Sequence, residues 1–146
     1  MKKIVFILSL VFFSTIALSV SADTIGEKNT FYIDSGYDLT QREKLTAILV
    51  KKVSNLYFYV DENWWNSIPQ DKIYQSLDDL GEEFENNIYP KLTSTYGSEW
   101  NPGIDGDFNI TVLIHPMKKN AGGYFRSNDE YSKILISDSN QREMIY

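Results

Sequence analysis

The sequence predicts an α+β fold, a mixed β-sheet backed by two helices. Two stretches carry apolar residues at helical spacing: Leu45, Ile48, Leu49 and Val53 in the first, and Ile73, Leu77, Leu80, Phe84 and Ile88 in the second. Two others read as strands. Leu56 to Val60 is a run of five apolar or aromatic residues, and Ile110, Val112 and Ile114 alternate with Thr111, Leu113 and His115. Helix, strand, long helix, strand, loop and short strand in succession suit a mixed sheet with helices laid against it.

Along the chain, Asp23 to Asn29 is a polar lead-in, and Phe31-Tyr32-Ile33 a short strand or apolar strap. Thr40-Gln41-Arg42-Glu43 has the form of a capping box, in which hydroxyl and carboxylate satisfy orphan backbone donors reciprocally. It predicts a helix over 41–53. The Leu56–Val60 run is closed by Asp61 and predicts a strand buried on both faces, and Trp64 and Trp65 then fall in a polar loop. Pro69 suits the first turn of the second helix, with Asp78, Asp79, Glu82, Glu83 and Glu85 mostly on its outside. Pro90 should kink or end that helix, having no N–H to donate back to Asn86. Asn101-Pro102-Gly103 marks a turn. A strand over 108–115 follows, then an irregular loop or edge around Gly122-Gly123-Tyr124-Phe125. Ile134-Leu135-Ile136 predicts a strand over 133–137, and Met144-Ile145-Tyr146 reads as the start of a buried element.

A chain of 146 residues makes one domain. It has no cysteine and one histidine, which excludes disulfides, Cys-ligated metal centres, a cysteine nucleophile and any two-histidine zinc motif. Lys2 and Lys3, the 15-residue stretch Ile4 to Leu18 and the small residues Val20-Ser21-Ala22 form a signal peptide over 1–22, cleaved after Ala22. The stretch falls short of the ~20 residues of a membrane span, so no stable anchor remains and the product is secreted or periplasmic. Losing Lys2 and Lys3 takes the basic residues from 14 to 12 against 20 acids, and the net charge from −6 to −8. Such a surface repels phosphate backbones, which excludes nucleic acid as a partner. Aromatic content of 14% is high for a disordered chain.

Few constellations carry chemistry. The acids of the second helix lie on a solvent-facing arc without neighbours that shift a pKa. Gly103-Ile104-Asp105-Gly106-Asp107 sets two carboxylates in a turn that can offer oxygens to Ca²⁺, but the twelfth position of an EF-hand loop would fall at Pro116. Asx turns account for the same residues without metal. His115 ends a strand and reads as a packed residue. In Gly122-Gly123-Tyr124-Phe125 the glycines allow another backbone close approach and the aromatics offer pocket walls, so the segment can accept a peptide as an added strand. A glycine hairpin with core aromatics is the plainer alternative.

Three stretches resemble a known family. They are Glu85 to Gly97 (ENNIYPKLTSTYG), Trp100 to Leu113 (WNPGIDGDFNITVL), and Ala121-Gly122-Gly123-Tyr124-Phe125 through Tyr131 followed by Gln141 to Tyr146. Together they resemble the region upstream of the active-site helix in secreted bacterial zinc metallopeptidases, the hyicolysin-like and immune-inhibitor-A-like zincins. The resemblance implies that 56–146 is a zincin N-terminal subdomain preceded by a lead-in and first helix over 23–55. Its parts would be a strand, a backing helix, a strand, an irregular edge strand over the cleft and a last strand, at 56–60, 69–89, 108–115, 122–125 and 133–137. It implies a substrate-edge role for Gly122, Gly123 and Tyr124, with peptide or protein as substrate. The H-E-x-x-H helix would come shortly after Tyr146, so the chain is expected to be a fragment without zinc ligands, catalytic residues or a cofactor of its own, and inactive alone. The rival expectation is a self-contained secreted module that binds peptide or glycan.

Overall fold

The structure, a computed structural model, describes residues 22–146. The leader expected over 1–22 lies outside the described residues except for Ala22. The α+β class and mixed sheet are present. Five strands lie in chain order across one sheet: β1 (Lys28–Tyr32), β2 (Lys44–Val53), β3 (Leu56–Asp61), β4 (Ile110–Ile114) and β5 (Met144–Ile145). β1, β2 and β3 are antiparallel, whereas β4 runs parallel to β3 and β5 parallel to β4.

The first predicted helix is instead β2. Its stripe Leu45, Ile48, Leu49, Val53 fits a helix, but Leu45, Ala47 and Leu49 also alternate, and these three face one core. β-branched Thr46, Ile48, Val50 and Val53 favour the pleated surface, and partners exist on both sides. A register shift between Leu49 and Lys51 makes Val50 a bulge, so Leu49 and Val50 are both buried, in different cores. The expected capping box is spent elsewhere: Thr40 donates its hydroxyl and its N–H to Asp38, each at 2.9 Å. One backing helix is therefore lost from the expected pair.

β3 is buried on both faces, as its composition predicts. Leu56, Phe58 and Val60 face the helical layer, while Tyr57 and Tyr59 face the opposite core with Phe31, Leu113 and Met144. Trp64 and Trp65 are not in a loop. Asp61 caps a helical turn, α1 (Glu62–Trp65), by accepting from the Trp64 N–H at 2.9 Å, and Trp65 is buried edge-on against Tyr74.

The long helix is α2 (Gln70–Glu83); its Ile73 and Leu77, with Phe84 and Ile88 in the segment that follows it, pack on the sheet. Leu80 is 41% exposed, because Gly81 takes its place against Val53. A Cβ at Gly81 would lie 2.4 Å from a Val53 methyl. Gly81→Ala is thus expected to destabilise by about 1–3 kcal/mol through overpacking, outweighing the ~1 kcal/mol of better helix propensity. Adding Val53→Ala should recover part of the loss in urea melts. Pro90 does not end the helix. A wide π turn (Phe84–Ile88), in which the Tyr89 N–H reaches back to the Phe84 carbonyl, absorbs the missing donor. The chain then continues as α3 (Tyr89–Tyr96) with Pro90 in its first turn.

The strand expected over 133–137 is a pair of tight turns. The Leu135 N–H donates to the Ser132 carbonyl at 2.8 Å, and Ile134 and Leu135 stand 93% and 75% exposed. The sheet edge beyond β4 belongs to β5, which pairs Met144 with Thr111 and Ile145 with Val112. Among the described residues no helix is long and apolar enough to cross a membrane.

Candidate functional site

Residues 122–125 form an irregular edge outside β5. Tyr124 and Tyr146 exchange both backbone bonds, each N–H donating to the other's carbonyl at 3.0 Å. That reciprocal pair is antiparallel, so the main-chain groups of the flanking residues point away from the sheet. Among the described residues Gly123 and Phe125 make no main-chain hydrogen bond, and both are exposed.

Tyr124, expected at the substrate edge, turns its ring inward. It is stacked between Tyr37 and Tyr146, with centroids 4.6 and 4.4 Å away and planes within 10°. Its hydroxyl accepts from the Asp34 N–H at 3.2 Å and lies 3.3 Å from His115 Nε2. His115 Nδ1 lies 3.2 Å from Asp38 Oδ2. Since the Asp38 carboxylate only accepts, the proton sits on Nδ1, and Nε2 accepts from the Tyr124 O–H.

Asp38 anchors this chain. Fully buried, it also accepts from the Arg42 guanidinium at 2.8 Å and from the Arg42 N–H at 3.0 Å. Burial pushes its carboxyl up, and the Arg42 and Thr40 donors more than reverse this, holding it well below the ordinary carboxylate range. Burial holds His115 below its usual value despite Asp38, and pushes the Tyr124 phenol up to about 12. The arrangement Asp–His–Tyr has the order of an orienter, base and nucleophile, but the phenol is not activated and its hydroxyl is already engaged by the Asp34 N–H and by His115. These groups fix where the edge sits. His115 was legible as a packed residue; its partner Asp38, and Tyr37 and Tyr146, which stack on Tyr124, were not.

The two glycines differ. A Cβ at Gly122 meets nothing within 4 Å, whereas one at Gly123 would lie 2.9 Å from the Tyr146 carbonyl oxygen. Gly122→Ala is therefore expected to stay within about 0.5 kcal/mol of the parent. Gly123→Ala should cost about 1–3 kcal/mol and speed hydrogen exchange at the Tyr146 amide. Equal exchange in both variants would contradict the close approach.

In the turn Gly103–Asp107 the carboxylates serve as Asx acceptors. Asp105 Oδ1 accepts from the Asp107 N–H at 2.9 Å, and Asp107 Oδ1 from the Asn109 N–H at 3.1 Å. Asp107 Oδ2 accepts from the Tyr57 hydroxyl at 3.1 Å. Among the described residues no group of three or more His, Asp or Glu side chains is placed to hold a metal ion. The helix acids Asp79, Glu82, Glu83 and Glu85 are exposed, and Asp78 pairs with Lys51. No protein-family model matches the sequence, and no curated protein matches it.

Proposed function

We propose that the chain is the front part of a secreted zincin-type zinc metallopeptidase, and that its Gly122–Phe125 edge aligns an extended peptide. The observation that supports this most is the reciprocal Tyr124–Tyr146 pair. It makes 122–125 an antiparallel edge beside a parallel strand, in the order that the family resemblance implies: strand, backing helix, strand, irregular edge, strand. β5 takes the last position in place of 133–137. The sheet corner at Ile110, Phe125 and Ile145 borders an open hollow of about 210 Å³, with Phe125 57% and Ile145 43% exposed. A following helix with H-E-x-x-H would bury that corner.

The residues in hand do not make a zinc site. The single histidine is buried and engaged at both ring nitrogens, and the chain has no cysteine. No catalytic step is therefore assigned to this chain. Its contribution is alignment: Gly123 and Phe125 offer an N–H and a C=O each. At about 0.5–1.5 kcal/mol net per hydrogen bond, the edge alone holds a peptide weakly, and tight binding requires further contacts.

Reading the transcript past the codon for Tyr146 tests the peptidase assignment. It predicts H-E-x-x-H within a few tens of residues. A stop directly after Tyr146 would refute it and leave the second reading, a secreted peptide- or glycan-binding module, which the free edge and exposed Phe125 also suit.

A further inference from the structure

We propose that removal of the leader installs an ion pair between the new α-ammonium group of Asp23 and the carboxylate of Asp107, locking the N-terminus onto the sheet. The inference rests on the export reading and on the position of Asp23. That residue is buried, although it lies next to the predicted cleavage point. Its carboxylate is ion-paired with Arg142 and accepts from the Tyr59 hydroxyl at 2.8 Å. The Arg142 guanidinium in turn lies 5.8 Å from the ring centroids of Phe31 and Tyr59. The start of the mature chain is thus pinned against the core face of β1 and β3.

Ala22, one residue earlier, lines an open hollow of about 330 Å³ with Gly106, Asp107, Phe108 and Asn109. The Ala22–Asp23 bond therefore lies at the rim of the hollow that the Asp107 turn lines. The charged groups at this corner are the carboxylates of Asp23, Asp105, Asp107 and Glu143, the last packed on the same turn through the Ile104 N–H, and the cations of Arg142 and Lys52. They leave two negative charges uncompensated. In the precursor the Asp23 nitrogen is a neutral amide. A signal peptidase adds water across the Ala22–Asp23 bond, so that a carboxylate departs on Ala22 and an ammonium stays on Asp23. Processing creates there one of the two positive charges that the corner lacks.

The test compares the processed chain beginning at Asp23 with the same chain N-acetylated, since the two differ in no side chain. The free form is expected to melt about 3 °C or more above the acetylated form near neutral pH. A paired ammonium titrates above its ordinary value of about 8. Its stabilisation is complete below that value and lost as the pH rises through the higher folded value, so the gap should close in alkali. Asp107→Asn should also close it. Equal melting of the two forms, or a gap that survives Asp107→Asn, would overturn the ion pair. Intact-mass measurement of the exported chain tests the processing step separately, and a first residue other than Asp23 would overturn that step.

Discussion

Asp38→Ala is expected to destabilise the domain by about 3–5 kcal/mol, the cost of stripping one partner from a buried charge network. The carboxylate satisfies Thr40, both the backbone and the guanidinium of Arg42, and His115 at once. Its loss leaves His115 Nδ1 buried without an acceptor and the Arg42 guanidinium with Asp61 alone. Against a total of roughly 5–15 kcal/mol for a domain, the urea midpoint should fall steeply. The network also sets the acid response. The depressed Asp38 carboxyl contributes stability that is complete above about pH 4 and lost as the pH falls below it. His115, held below its ordinary value, contributes stability that is complete above about pH 6.5 and lost as the pH falls through its folded value. Stability should therefore decline in two stages on acidification, and His115→Gln should remove the earlier one. A urea midpoint that stays flat from pH 7 to pH 5 in the parent would contradict this assignment.

Tyr146→Ala should cost a comparable amount, about 3–5 kcal/mol for a buried aromatic side chain. The ring closes the stack on Tyr124, and the hydroxyl donates to buried Asp129 at 2.6 Å while accepting from the Asn140 amide at 2.8 Å. Burial pushes the Asp129 carboxyl up against the pull of these donors, so losing the hydroxyl leaves a poorly solvated acid. Tyr146→Phe isolates that part and is expected to cost about 1–3 kcal/mol, with the stack and the edge kept. The two variants should separate in hydrogen exchange: Tyr146→Ala frees the Tyr124 amide, and Tyr146→Phe leaves it protected. Equal exchange in both would show that the ring does not hold the edge.

β3, β4 and the stripe of α2 were legible because each buries a face whose residues lie close together in sequence. β2 was not, since Leu45, Ile48, Leu49 and Val53 satisfy a helical period while Leu45, Ala47 and Leu49 satisfy a strand period. The decision came from the neighbouring strands, which local spacing does not contain. β5 has only two residues, too few for any period, and its place on the edge left Ile134-Leu135-Ile136 without a partner strand. At the candidate site the paired glycines announced close backbone approach, and Gly123 makes it. The inward turn of Tyr124 depends on Asp38, which lies 77 positions from His115. No short-range pattern joins those residues.

Amide hydrogen exchange across 122–125, measured by NMR with and without an extended peptide, tests the aligning edge most directly. The Tyr124 and Tyr146 amides should be protected throughout. Those of Gly123 and Phe125 should exchange freely and slow when peptide is added, with shift changes confined to this edge. Protection of Gly123 and Phe125 in the free protein, or no response at those two amides to any extended peptide, would contradict the account.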